Sequence, residues 1–358
     1  MTVIIDLIVF SLQKSGGISV YWYEFINRIL HQSDINSLFI EDDIQKENIF
    51  RKDLKIEGKH ILENEFKLIN HLSRYRDINL KIRNSTFIFH STYYRTLSKV
   101  LKKRNNVKEI VTVHDFTYEH FSSGLKKMLH SYQKKKAIKS ADIVICISEN
   151  TKKDLLHFFP EFTYKDIRVI YNGVSADYFI LPELKKTQSM SPYFLFVGSR
   201  ASYKNFDFSV KAISQTEKFS LKIVGSSLSK KELEMLNALI PGRWEIFTEI
   251  ENKTLNELYN SAYSLIYPSS YEGFGIPLIE AMKTGCPFIA LNASSIPEVA
   301  DSAGVLIERL EISLFNEALI TIDSKREELI EKGFIQAKKF SWDKSYKEIF
   351  NIYNELMN

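Results

Sequence analysis

At 358 residues the chain is long for one hydrophobic core and suits two α/β domains of about 150 to 200 residues each. Its 44% hydrophobic and 26% charged content, with 25 Phe and 18 Tyr, excludes global disorder. The net charge of +4 divides unevenly, because residues 1–180 carry 28 Lys/Arg against 21 Asp/Glu and the remainder 20 against 23.

Two cysteines do not make a disulfide framework. Cys146 sits in the apolar run Ile143-Val144-Ile145-Cys146-Ile147, and Cys286 lies in a turn-like Thr284-Gly285-Cys286-Pro287, which fits a reducing cytosol. The opening apolar run, Val3 to Phe10, is broken by Asp6 and has neither a basic leader nor a small-residue cleavage site. No stretch reaches the roughly 18 apolar residues of a spanning helix. The expected location is the cytoplasm.

In chain order, short β-branched runs alternate with helical patterns, the grammar of parallel βαβ units. The first half offers strands at Val3–Val9, Thr86–His90, Ile110–His114, Ile143–Ser148 and Arg168–Tyr171, with Ser15-Gly16-Gly17-Ile18 leading into a helix at Ser19–Leu30. Residues 35–85 follow no clear period. Within 122–140 there is no acid, while Lys126, Lys127, Lys134, Lys135, Lys136 and Lys139 cluster there. The cluster reads either as a solvated helix face or as a surface drawn to an anionic membrane or lipid-linked acceptor. No nucleic-acid-binding motif accompanies it, so nucleic acid is not an expected partner.

Residues 181–192, polar with Pro182 and Pro192 near the ends, read as an interdomain linker. The second half repeats the pattern with strands at Tyr193–Gly198, Leu221–Gly225, Trp244–Phe247, Ser264–Tyr267, Phe288–Leu291 and Val305–Ile307. Helices fall at Asn205–Gln215, Leu228–Leu239 and Ile276–Lys283. The last helix, Trp342 to Leu356, carries a stripe of Trp342, Tyr346, Ile349, Phe350 and Tyr353 that needs a partner surface. The predicted organisation is a first domain at 1–180, a linker at 181–192, a second domain at 193–340, and a terminal helix at 341–358 returning towards the first domain.

Open parallel sheets bind ligands beyond the carboxyl ends of their strands, so polar residues there are the functional candidates. The richest segment is Pro268-Ser269-Ser270-Tyr271-Glu272-Gly273-Phe274-Gly275-Ile276-Pro277-Leu278-Ile279-Glu280, a strand end, a glycine-flanked loop and a helix with Pro at its start. Glycines permit close backbone approach, and the free N–H groups of the helix start favour phosphate or hydroxyl oxygens. Glu272 and Glu280, about two helical turns apart, suit acceptors for sugar and ribose hydroxyls. A plain βα turn with a surface glutamate is the competing reading. Phe196-Val197-Gly198-Ser199-Arg200 followed by Lys204-Asn205 places a guanidinium fork and a point charge on one strand-end loop, a pair suited to a diphosphate. Gly16-Gly17 is as compatible with a simple turn as with a phosphate-facing loop. His114, beside Asp115, closes its strand where ligands sit, although a structural histidine is the alternative. Ser148 is equally a helix N-cap or a site residue.

These residues together resemble the retaining glycosyltransferases of family four, whose architecture is GT-B: two Rossmann-like parallel-sheet domains facing each other across a cleft. The resemblance runs over nearly the full length. It is carried by Glu272 and Glu280 in Ser-Tyr-Glu-Gly-Phe-Gly-Ile-Pro-Leu-Ile-Glu-Ala-Met, by Val197-Gly198-Ser199-Arg200 with Lys204-Asn205, by His114-Asp115, by Val144-Ile145-Cys146-Ile147-Ser148-Glu149, by Asn172-Gly173-Val174 and by Asn292-Ala293-Ser294-Ser295-Ile296-Pro297-Glu298-Val299. The Gly16-Gly17 loop fits as well. One departure is Gly198-Ser199-Arg200, where many relatives have Gly-Arg.

The resemblance implies that Arg200 and Lys204 clamp the donor diphosphate. It further implies that Glu272 and the amides of Gly273, Phe274 and Gly275 hold the transferred sugar, that Glu280 holds the ribose, that Ile276 is also donor-binding, and that His114 lies beside the sugar. Gly198, Gly16 and Gly17 complete the expected donor site. Bacterial surface-polysaccharide enzymes, many of them mannosyltransferases, are the nearest kind. The implied function is retaining transfer of a hexose, mannose from GDP-mannose in the first instance, onto a growing O-antigen or capsule on a lipid carrier, at the inner face of the cytoplasmic membrane. No metal or other cofactor is expected, since no Asp-x-Asp motif precedes a strand end and Asp42-Asp43 are merely adjacent. The alternatives are a nucleotide-sugar epimerase of the same fold, which would consume donor without acceptor, and a non-catalytic sugar-nucleotide-binding subunit, which the intact Glu272, Glu280, Arg200 and Lys204 oppose.

Overall fold

Runs of Val, Ile and Phe form the strands, and in the computed structural model, which describes residues 1–41, 48–65, 74–182 and 191–357, all strand pairs among the described residues are parallel. The first seven strands are β1 (Thr2–Asp6), β2 (Asn36–Ile40), β3 (Ile61–Leu62), β4 (Thr86–Ser91), β5 (Asn106–Val113), β6 (Ile143–Cys146) and β7 (Asp166–Val169). They form one sheet in the order β3-β2-β1-β4-β5-β6-β7. The next six are β8 (Tyr193–Val197), β9 (Ser220–Val224), β10 (Trp244–Phe247), β11 (Ser264–Tyr267), β12 (Phe288–Leu291) and β13 (Val305–Ile307), in the order β10-β9-β8-β11-β12-β13. In each sheet the order reverses once, between β1 and β4 and between β8 and β11. At such a switch the loops after the two strands diverge and leave a crevice at their carboxyl ends.

The chain divides into two compact units, Met1–Asn172 with Trp342–Asn358, and Gly173–Ser341. Central strands are buried on both faces, as β6, β11 and β12 are throughout, which a parallel sheet covered by helices requires. In the second unit Phe194, Phe196, Ile223, Leu236, Ile289, Phe315 and Ile322 belong to one apolar core.

The terminal helix, Trp342–Met357, finds its partner surface in the first unit. Trp342, Tyr346, Ile349 and Tyr353 are buried, and each such side chain contributes about 1.5 to 3 kcal/mol of gross transfer energy. Tyr346 and Tyr353 pack on Phe25 with ring centroids at 5.5 and 6.1 Å. Arg168 bonds both oxygens of Glu355 at 2.6 and 2.7 Å, and Arg28 donates to Asp343 at 2.8 Å.

Most predicted strands agree with the structure to within a residue or two, and the second-half set agrees best. β1 is a correction: it ends at Asp6, not Val9, because the Asp6 carboxylate accepts from the Ile8 amide at 3.2 Å and turns the chain into a short helix, Val9–Leu12. β5 begins four residues earlier than Ile110 and ends at Val113, leaving His114 just beyond it. β2 and β3 lie in the stretch that showed no period. Residues 183–190 of the expected linker, and Asp42 and Asp43, lie outside the described residues.

Candidate active site

In the second unit the loops after β8 and β11 meet at the sheet's switch point. β8 is followed by Gly198, whose φ of +126° strains any side-chain-bearing residue. Gly225, after β9, approaches it closely: a Cβ there would lie 2.5 Å from the Gly198 carbonyl oxygen and 3.2 Å from Arg200 Nη1. Arg200 is turned toward the β9 side. Its Nε donates to Glu232 at 2.7 Å and its Nη2 to the Ser226 and Ser227 carbonyls at 2.8 and 2.7 Å, while Nη1 is buried with no hydrogen-bond partner among the described residues. Glu232 also completes a capping box with Ser229, so the guanidinium is tied to a helix start.

Four links stitch the β8 loop to the β11 loop. Asn205, at φ +49°, donates to the Pro268 carbonyl at 2.8 Å and to Ser270 Oγ at 2.7 Å, and the Ser270 amide donates to the Tyr203 carbonyl at 2.8 Å. Lys204 Nζ pairs with Glu272, both side chains being largely buried. Behind Glu272, Ser294 Oγ accepts from its amide at 2.8 Å, and Ser295 Oγ donates to the Glu272 and Phe274 carbonyls, each at 2.9 Å. Gly275, at φ +106°, opens the helix Ile276–Thr284 with Pro277 in its first turn. The loop is therefore held from both sides and leads into a helix start at which Pro277 has no N–H and the Leu278 amide donates to the Gly275 carbonyl at 3.0 Å.

Glu280 lies one helix turn deeper and is buried. Burial raises its carboxyl from its ordinary 4.5 to about 7, against the opposing hydroxyls of Tyr259 and Tyr178. Tyr259 donates to Oε2 at 2.8 Å.

The first unit brings Gly16, Gly17 and His114 to the carboxyl end of its own sheet. Gly16 caps the helix Gly17–Ile29; a Cβ on it would meet Gln13 Oε1 at 2.8 Å, whereas a Cβ on Gly17 would meet nothing within 4 Å. His114 is buried, with Tyr21 of that helix set edge-on at 4.9 Å. Burial lowers its pKa to about 4, a direction Lys134 reinforces and Asp115 opposes. The imidazole is therefore neutral at physiological pH, and its Nε2 has no hydrogen-bond partner among the described residues. Ser148 is a helix N-cap, accepting from the Thr151 amide at 3.0 Å.

The six-lysine surface needs correction. Lys134 is fully buried: its Nζ donates to the Asp115 carbonyl at 2.8 Å and to Glu119 at 2.7 Å and sits 4.1 Å from the Phe116 ring centre. It braces the turn after His114 and faces no membrane. Lys135 pairs with Glu161 and Lys136 with Asp77. The exposed face of this helix, Gly124–Ser140, instead carries Leu125, Met128, Leu129 and Tyr132, with Phe121 exposed just before it. Their spacing is the i, i+3, i+4, i+7 of one helix stripe. Counting lysines concealed this stripe, although its period was present in the sequence. Tyr178, Tyr259 and Glu232 are likewise site neighbours that no motif singled out.

Among the described residues no three His, Cys, Asp or Glu side chains are grouped to hold a metal ion, and no helix is long and apolar enough to cross a membrane.

Two doubly wound parallel sheets, with glycine-rich, cation-bearing loops at their switch points, define the GT-B class of nucleotide-sugar enzymes. Over 99% of this chain and 98% of the other, the structure is similar to sucrose-phosphate synthase from Thermosynechococcus elongatus (TM-score 0.76, 17% identity). It is similar also to Anabaena Alr3699/HepE in complex with UDP-glucose (TM-score 0.75, 16% identity, 99% and 100% covered). In sequence it is 27% identical to the O-antigen chain mannosyltransferase B of Escherichia coli over 65% of this chain and 64% of that protein, less than two thirds of the relative's length. Residues 15–178 match the profile described as Glycosyltransferase Family 4, and residues 179–336 that described as Glycosyl transferases group 1. The chain belongs to the family-four glycosyltransferases of the GT-B fold.

Proposed function

We propose that this glycosyltransferase is a retaining, metal-independent hexosyltransferase that moves mannose from GDP-mannose onto a growing surface glycan, such as O-antigen or capsule, carried on lipid. The observation that carries the reading is the Lys204–Glu272 pair inside the β8/β11 crevice. It sets a cation for a diphosphate beside a carboxylate for sugar hydroxyls, next to the amides of Gly273, Phe274, Gly275 and Ile276. The E. coli relative named for mannose transfer supports the sugar.

In this reading Lys204 and the spare Nη1 of Arg200 stabilise the departing diphosphate, with the helix start adding its N–H groups. Glu272 accepts from the hexose hydroxyls and Glu280 from the ribose. Gly16, Gly17 and Gly198 keep backbone clear of the donor, and His114 offers its unpartnered Nε2 to the sugar. The bond between the anomeric carbon and the phosphate oxygen breaks, the acceptor oxygen bonds to the same face, and the acceptor's proton passes to the departing phosphate oxygen. Contact with the lipid carrier, at the inner face of the cytoplasmic membrane, falls to the exposed apolar stripe of Gly124–Ser140, flanked by Lys126, Lys127 and Lys139.

A thermal-shift panel of GDP-, UDP-, dTDP- and ADP-sugars tests the donor, since a ligand that binds only the folded state raises stability by mass action. GDP-mannose is expected to give the largest rise. A larger rise with another sugar nucleotide overturns the mannose reading, and no rise with any overturns the donor site.

A further inference from the structure

The carboxyl of Glu280 is held between two tyrosines from different elements. Tyr259, on the helix Asn252–Ser261, donates to Oε2 at 2.8 Å. Tyr178, on the segment that begins the second unit, also acts on this carboxyl, and its hydroxyl donates to Asn252 Oδ1 at 3.3 Å. The two rings meet edge to face at 6.0 Å, and both are buried.

Tyr178 owes its place to a column of asparagines at i, i+4 and i+8 on that helix. Asn252 Nδ2 donates to Asp177 at 2.8 Å, Asn256 Oδ1 accepts from the Phe179 amide at 3.1 Å, and Asn260 Oδ1 accepts from the Leu181 amide at 2.8 Å. Lys283 Nζ donates to the Ser175 carbonyl at 2.7 Å. An otherwise irregular segment is thus laced along one helix face, with its tyrosine fixed over Glu280.

A carboxylate offers about four acceptor positions, and the Tyr259 hydroxyl leaves most of that capacity free. Among the described residues no cation pairs with Glu280. The titratable groups that face it are Tyr178, Tyr259 and Tyr267; Cys286 stands behind Tyr259, and Lys283 is turned to Ser175. We propose that Tyr259, through its hydrogen bond, and Tyr178, through its ring packed on Tyr259, are positioning residues for Glu280 that orient the carboxyl so that its remaining lone pairs accept the ribose hydroxyls of the donor nucleotide. The proposal rests on the donor-site reading above.

Burial favours the protonated acid, while the Tyr259 and Tyr178 hydroxyls favour the carboxylate. Both tyrosines are themselves held above their ordinary pKa, first by burial and then by Glu280, so they remain donors. Removing one hydroxyl leaves burial less opposed and moves the protonation of Glu280 upward. Nucleotide affinity then falls as pH drops through about 7 in the wild type, and begins to fall at higher pH in the tyrosine variants.

The test is calorimetric titration of the full chain with GDP-mannose and with UDP-glucose across roughly pH 6 to 9, a window around the Glu280 transition in which neither phosphodiester titrates. Tyr259→Phe and Tyr178→Phe keep the rings; the first should weaken binding at neutral pH by about tenfold, the worth of a hydrogen bond to a charged group, and the second by less. Affinity should recover toward alkaline pH, and Glu280→Gln should bind weakly with a flat profile. If Glu280→Gln weakens binding while both Phe variants keep the wild-type affinity and midpoint, the tyrosines only pack and the proposal is overturned. A Phe variant with a lower melting temperature but an unmoved midpoint overturns it equally. If Glu280→Gln binds as wild type, or neither sugar nucleotide binds the wild type, the donor-site reading fails and the proposal falls with it.

Discussion

Lys134 Nζ stands 2.7 Å from Glu119 Oε2, and neither side chain is more than 2% exposed. Such a pair is costly to break on one side, because the remaining charge is buried without compensation. Lys134→Met should destabilise the chain by about 3 to 5 kcal/mol, read in denaturant melts. Burial alone would raise the Glu119 carboxyl, but the His130 ring 3.9 Å away and the hydrogen bond and charge of Lys134 bring it down to about 2. Its contribution is therefore complete above the ordinary carboxylate range and is lost as pH falls toward that value. A Lys134→Met protein as stable as wild type at neutral pH would refute this assignment.

Arg200 and Lys204 differ in how free they are to meet a diphosphate. Lys204 has one carboxylate partner, Glu272, whereas Arg200 is tied to Glu232 and two carbonyls with only Nη1 to spare. Lys204→Ala and Arg200→Ala should each lower turnover by roughly 10²-fold, the usual loss on deleting a preorganised electrostatic partner. The Arg200 variant should also lose melting temperature, because the β9-side loop loses its staple. Activity of the wild type should survive EDTA; complete loss, restored by Mg²⁺ or Mn²⁺, would refute metal-independence.

Gly225→Ala tests the close approach of β8 and β9. The new Cβ would sit 2.5 Å from a backbone oxygen that cannot swing aside, and 3.2 Å from Arg200 Nη1. Overpacking of this kind costs about 1 to 3 kcal/mol, and here the displaced atoms belong to the donor loop. Donor affinity should fall with stability, in contrast to Gly17→Ala, whose Cβ meets nothing within 4 Å.

How far the sequence could be read follows from what each level of structure depends on. β10 to β13 were legible to the residue because buried parallel strands are continuous apolar runs bounded by turns, as in Ser264–Tyr267 and Phe288–Leu291. β2 and β3 were not: Asn36–Ile40 opens with polar residues, and Ile61–Leu62 is too short to show a period. In the donor loops Glu272, Lys204 and Gly275 were legible as types in a pattern, but the partners of Arg200 were not, since Ser226, Ser227 and Glu232 lie some 26 to 32 positions away. Lys134 shows the limit most plainly. Among six lysines in an acid-free segment, only the fold reveals which one points inward.

The exposed stripe of Gly124–Ser140 makes the last prediction. Leu125, Met128 and Tyr132 are 69, 67 and 66% exposed on one face, and among the described residues Lys126, Lys127 and Lys139 form no ion pair. Two copies meeting through this face would set lysine against lysine, whereas an anionic leaflet takes the apolar chains into its interface and the ammonium groups at its headgroups. Each available lysine adds about 1 kcal/mol near such a surface and is screened within a Debye length, while the apolar part is insensitive to salt. Sedimentation with phosphatidylglycerol-containing vesicles should therefore fall only partly as salt rises. Lys126→Gln with Lys127→Gln should weaken binding at low salt alone, while Leu125→Ser with Met128→Ser should release the protein at every salt concentration. Neither pair should change GDP-mannose affinity, since the proposed diphosphate and ribose contacts all lie in the other unit. Wild-type protein that ignores these vesicles at low salt would overturn lipid contact, and a dimer that the serine variants dissolve would assign the stripe to a second copy instead.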